Sequence, residues 1–158
     1  MREQDPTRIP RVIAALQAAW EGQPDLSLPA FIGMLHTRGM TWATSEDELL
    51  EMLGEITAAH PPVIAEPLEG AILLTTSSPR LAVTLSGDTV VVRSAEDPQR
   101  PPAVWRFVSL RPVGPGRPLV LTDTEGVEHR LGVVEMATPL REGSVPRPEE
   151  VTPATIRG

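Results

Sequence analysis

The sequence predicts an α+β protein: a three-helix N-terminal unit, then a small antiparallel β meander that curls toward a barrel, then a Pro-rich tail. Three observations carry this. Up to His60-Pro61-Pro62 the apolar residues recur at helical spacing; beyond it they alternate with period two, and Gly and Pro mark turns. The order is helices first and strands after, not alternating, which separates α+β from α/β. Residues 5–62 are expected as the helical unit, 68–137 as the β unit and 138–158 as an extended tail, together one compact domain with the helices on one face of the sheet.

The first helix is expected from about Ile9 to Trp20. Thr7 is placed to cap it, and Pro10 suits its first turn. Ile9, Ile13, Leu16 and Trp20 form one stripe, widened by Val12 and Ala19, and Gly22 and Pro24 end the helix. A second helix starts after Ser27, with Pro29 in its first turn and Phe31, Ile32, Met34 and Leu35 as its apolar face; Gly39 closes it. The third begins at Ser45, which with Glu48 makes an S-x-x-E capping box, the strongest local signal in the chain. It ends before His60, because Pro61 disfavours helical geometry in its predecessor.

Strands are expected at 71–75, 81–85, 89–93, 104–110, 119–122 and 127–134. LAVTLSGDTVVVR reads as a hairpin turning at Ser86-Gly87-Asp88, and LVLTDTEGVEHRLGVV as a second, turning at Thr124-Glu125-Gly126. Val104-Trp105-Arg106-Phe107 alternates poorly, so its facing is open. Residues 138–158 show no period and read as extended chain.

The chain has 158 residues, 41% hydrophobic and 22% charged, as in soluble globular proteins. It contains no Cys, Tyr, Lys or Asn, and all 14 bases are arginines. That joint absence is the imprint of a GC-rich, bacterial coding bias, so the Arg preference carries no functional meaning. Without Cys there is no disulfide, thiolate metal site or Cys nucleophile. No apolar leader is visible and no run approaches the ~20 residues of a membrane span, so a cytoplasmic location without membrane contact is expected. Net charge is −7; residues 1–65 hold 4 Arg against 9 acids, a balance of −5, whereas 66–139 hold 7 against 9, a balance of −2. An acidic surface repels phosphates, which disfavours nucleic acid and anionic membranes as partners.

Two stretches resemble known families. In residues 8–32, Arg8, Ile9, Val12, Leu16, Trp20, Pro24, Asp25 and Leu26 match an opening shared by small uncharacterised bacterial proteins, although Leu28-Pro29-Ala30 departs from it. That resemblance covers about a sixth of the chain and implies no activity. LAVTLSGDTVVVR, VWRFVSLRPV and PLVLTDTEGVEHRL follow one another as the strands of bacterial PH-like domains do. The pattern implies a PH-like barrel closed by a C-terminal helix; the Pro-rich tail offers none, so an SH3-like barrel or a curved sheet competes.

The densest chemistry is MTWATSEDELLEMLGEI, residues 40–56, with five acids and no base. On a helix, Asp47, Glu48, Glu51 and Glu55 fill one arc of about 100° opposite Leu49, Met52, Leu53 and Ile56. The reading that costs least is a solvated face; a partner-binding acidic face comes second, and metal or acid–base work third. Three helices and following strands also suggest a winged helix, but a base-free acidic helix suits no DNA groove. His36, His60 and His129 lack metal-ligand spacing, no G-x-S-x-G is present, and VGPGRP lacks the Lys of a phosphate loop. Asp123, Glu125 and Glu128 at a hairpin tip lack the spacing of a calcium loop. Arg93, Arg100, Arg106, Arg111 and Arg117 are the one basic concentration, suited to a mixed surface or to the chain's own acidic unit. Trp20 is expected in the core. Trp42, in the loop before the acidic helix, is the best candidate for an interface anchor. No catalytic, cofactor or metal site is expected. The leading functional expectation is a non-catalytic interaction or adaptor module with a protein partner; the alternatives are a winged-helix-like transcription regulator and a small-ligand or enzymatic site between helices and sheet.

Overall fold

A computed structural model describes residues 5–140 and divides the chain into two units, with the boundary between Pro62 and Val63. The first holds three helices, α1 (Arg8–Glu21), α2 (Leu28–Thr37) and α3 (Glu46–Ala59). The second is a closed barrel of six antiparallel strands, β1 (Ile72–Ser77), β2 (Leu81–Ser86), β3 (Thr89–Ser94), β4 (Ala103–Leu110), β5 (Pro118–Asp123) and β6 (Glu128–Pro139). Each strand pairs with the next, and β6 returns to β1. The expected α+β order and every expected element are present.

Within the helical unit, α1 and α3 lie side by side in the same direction. Arg8 Nε sits 3.4 Å from Glu46 Oε1 where both helices begin. Where both end, a Cβ at Gly22 would overlap the carbonyl oxygen of His60. Phe31 and Leu35 of α2, Leu53 and Ile56 of α3, and Ala19 of α1 form the buried core.

Two expectations for α1 need correction. Thr7 makes no capping bond; it is itself helical, and Asp5 takes the role, accepting from the Thr7 backbone N–H at 3.0 Å and from its hydroxyl. The core stripe is also rotated from the expected one. Ile9 and Ile13 are each 55% exposed, while Ala15, Leu16, Ala19 and Trp20 pack inward. The small side chains explain the rotation: an alanine face lets the two helix backbones approach closely, which bulky isoleucines would prevent. Trp20 takes its expected inward place, and its indole N–H donates to Leu26 O at 2.8 Å, anchoring the α1–α2 loop.

The barrel interior is filled by side chains. Leu74, Val83, Leu85, Val90, Leu119, Leu121 and Ala137 are all 0% exposed, as a six-strand barrel requires, being narrower than the eight-strand barrels that only just hold a small ligand. The poor alternation of β4 has a local cause. Its register against β5 shifts between Phe107 and Ser109, so Phe107 and Leu110, three positions apart, are both buried.

Closure depends on β6. Its 12 residues pair with β5 from Glu128 to Val133 and with β1 from Val133 to Pro139. Both ladders shift register along the way, which bends the strand from one neighbour to the other. The strand was expected to stop at 134 and the tail to start at 138. Instead residues 138–140 belong to the barrel, with Leu140 N–H donating to Ala71 O at 2.9 Å. The remainder of the expected tail, 141–158, lies outside the described residues. The segment before β1 also joins the barrel, through paired backbone bonds between Ile64 and Val113 of 2.6 and 2.9 Å and a Glu66 carboxylate that accepts from Leu110 N–H at 2.7 Å.

Candidate functional site

The acidic helix is built from its cap outward. The Ser45 hydroxyl accepts from Glu48 N–H at 3.1 Å and donates to Glu48 Oε1 at 3.1 Å. The serine half of the box therefore forms, while the Glu48 carboxylate takes the serine hydroxyl rather than the Ser45 backbone N–H. Glu46, Asp47 and Glu48 occupy the first turn, where the helix dipole favours negative charge. Leu53 and Ile56 are buried, and Asp47, Glu48, Glu51 and Glu55 are all exposed on the far side. The two faces separate as the spacing requires.

Trp42 is 98% exposed. Its loop is nevertheless tied on both sides. Thr41 N–H donates to Thr44 Oγ1 at 2.8 Å, Ala43 N–H to Thr41 Oγ1 at 3.2 Å, and Thr44 N–H to Thr41 O at 3.1 Å. Ahead of it, Met40 N–H donates to Leu35 O at 3.0 Å and His36 Nδ1 donates to Met40 O at 2.9 Å. These bonds fix the backbone on either side of an indole that touches almost nothing. The indole is thus held out from the helical unit, free to meet another surface.

Beside this loop a groove of about 840 Å³ opens between the first turns of α1 and α3, lined by Asp5, Arg8, Arg11 and residues 43–47. Its charges are mixed. Arg8 Nε is buried against Glu46 without hydrogen-bond geometry, and the Asp5 carboxyl is held below its usual range by its bonds from the Thr7 hydroxyl and backbone. The Ser45 hydroxyl in the groove lining is engaged in the α3 cap.

One cluster escaped sequence reading. By sequence His129 was set aside only for lacking metal-ligand spacing. It shares the inner face with Leu121, opposite it in β5, and its ring lies 4.4 Å from that of Trp105 at a tilt of 36°. Its Nε2 donates to Asp123 Oδ2 at 2.8 Å. Asp123 also accepts from Glu125 N–H at 2.8 Å and Val127 N–H at 3.0 Å, which fixes the hairpin turn. The His129 bond, then the Val127 N–H, hold the Asp123 carboxyl below its ordinary value. An Asp–His pair invites comparison with hydrolase machinery, but among the described residues no hydroxyl hydrogen-bonds to the other ring nitrogen. One carboxylate oxygen, Oδ1, takes both turn N–H groups, and the other, Oδ2, takes the imidazole. The signal was available in part: Trp105 and Phe107 share a strand parity, and Asp123 has the spacing of an Asx turn.

His36 is an exposed helix-end residue, and His60 follows α3 with its Nδ1 buried and unpartnered. Of the arginine set, Arg111 pairs with Glu128 at 3.3 Å across the barrel surface. Among the described residues no group of three His, Asp or Glu side chains is placed to hold a metal ion, and no helix is long and apolar enough to cross a membrane.

Compared with protein-family models, with curated proteins and with solved structures, the chain matches none.

Proposed function

We propose that this protein is a non-catalytic interaction module whose helical unit docks a protein partner through Trp42 and the adjoining outward face of α3. The observation that carries the reading is the 98% exposure of Trp42 on a loop held by five hydrogen bonds. A tryptophan brings roughly 150–250 Å² of contact surface, and a fixed loop spends little entropy in presenting it. Exposed aromatic anchors with those properties are the usual centres of interface energy. The acids of α3 support a protein partner over DNA, since a groove-reading helix needs bases on that face.

The test is recovery of the tagged full chain from its source cells. A partner should co-purify in fixed stoichiometry with the wild type and be lost with Trp42→Ala, while both proteins melt at the same temperature. Equal retention by the variant overturns the reading.

A further inference from the structure

We infer that the occupant of this surface is a cationic, amphipathic segment of another protein, an inference that rests on the docking role proposed for Trp42. The stretch from Trp42 to Glu55 combines an exposed apolar anchor with negative charge. Glu51 and Glu55 stand one helical turn apart on the exposed side of α3. Among the described residues neither has an ion pair or hydrogen bond. Trp42 lies three residues ahead of the Ser45 cap, so anchor and charge belong to one continuous stretch.

Competing occupants fail on charge. A second copy meeting this face with its own helical unit, −5 in residues 1–65, would bring acid against acid; docking through its barrel arginines instead would make the chain self-associate in size-exclusion chromatography, an outcome that overturns the inference. Phosphate-bearing partners meet the same repulsion. A purely apolar partner would strip water from the carboxylates and return nothing for it. A segment with bases one turn apart pairs with Glu51 and Glu55, while its neighbouring apolar or guanidinium groups cover the indole. Charge complementarity therefore selects a basic helix over the other classes.

Two short helical peptides serve as probes: one with Arg one turn apart and Leu on the adjoining face, the other with Glu in place of each Arg. Calorimetric titration of the full chain should detect binding of the Arg peptide only. Trp42→Ala should weaken it by about tenfold or more. Glu51→Gln with Glu55→Gln should weaken it by about fivefold. Glu96→Gln with Glu135→Gln, the same change in net charge placed on exposed barrel residues, should leave the affinity within about twofold. Circular dichroism confirms that each variant is folded. If the two charge pairs weaken binding equally, or the Glu peptide binds as well, the cationic-partner inference falls while an effect of Trp42→Ala still supports the docking site. If no variant matters, or neither peptide binds, the inference is overturned; loss of Trp42 dependence in the cell extract is what removes the docking site itself.

Discussion

At the scale of single residues, the sequence was legible wherever chemistry is local. The Ser45 cap needs only four consecutive residues, and the serine accepts from Glu48 N–H as the motif requires. Thr7 was misread because Asp5, two residues earlier, offers a stronger acceptor and draws both the Thr7 hydroxyl and its N–H. The His129–Trp105 contact was invisible because it joins residues 24 positions apart through three strands whose registers include a bulge. Asp123 gives a pH prediction. The His129 bond and the turn N–H groups hold its carboxyl below the ordinary carboxylate range, so its contribution is fully present above the unfolded pKa and is lost as pH falls through the folded one. Acid titration followed by circular dichroism should show the wild type losing stability below about pH 4, and Asp123→Asn should be less stable at neutral pH with a flatter acid limb. Trp42 gives the opposite kind of expectation. Because its side chain is free of contacts, Trp42→Ala should shift unfolding free energy by less than about 0.5 kcal/mol in urea titration.

At the scale of elements, existence and order were readable and facing was not. A stripe of large apolar residues is the ordinary guide to a buried helix face, and on α1 it pointed to Ile9 and Ile13. The closer helix pairing offered by Ala15 and Ala19 prevailed, because the backbone approach between Gly22 and His60 leaves no room for larger groups. Two substitutions separate these readings. Ile13→Gln, on the exposed face, should cost less than about 0.5 kcal/mol. Ala19→Leu, at a fully buried position, should cost about 1–3 kcal/mol through overpacking. Urea unfolding of both variants decides it, and the reverse order would restore the isoleucine stripe as the core face. In the barrel, Gly132 on β6 combines a φ of +89° with close neighbours: a Cβ there would stand 2.6 Å from Ser77 O and 2.9 Å from Pro79 O. Both obstacles are backbone, so neither can swing aside. Gly132→Ala should therefore destabilise the protein by roughly 2–3 kcal/mol, measured in the same way.

At the scale of the whole molecule, the period changes at His60-Pro61-Pro62, and the chain divides into two units between Pro62 and Val63. The division marks where one core ends and another begins, since the two buried clusters share no residue. What the period did not reveal is that the sheet closes. A meander with an even strand count can stay open, leaving β1 and β6 as edges, and an open edge invites pairing with other chains. Closure here comes from residues past the expected end of the last strand at 134, of which Thr138 and Pro139 fell in the expected tail. Thr75 pairs with Met136, Leu74 with Ala137, Leu73 with Thr138 and Ile72 with Pro139. Pro and Thr in that stretch suppressed the strand signal, yet Ala137 is fully buried and a terminal Pro139 removes only one donor at the strand's end. The chain ended after Val134 should therefore lose closure: amide exchange at Ile72–Thr75 should accelerate by orders of magnitude, and the protein should self-associate through the exposed β1 edge in size-exclusion chromatography. The chain ended after Leu140 keeps every β1–β6 pair and should remain protected at β1. Equal protection of β1 in both truncations would show that residues 135–140 are dispensable and that the barrel holds without its last ladder.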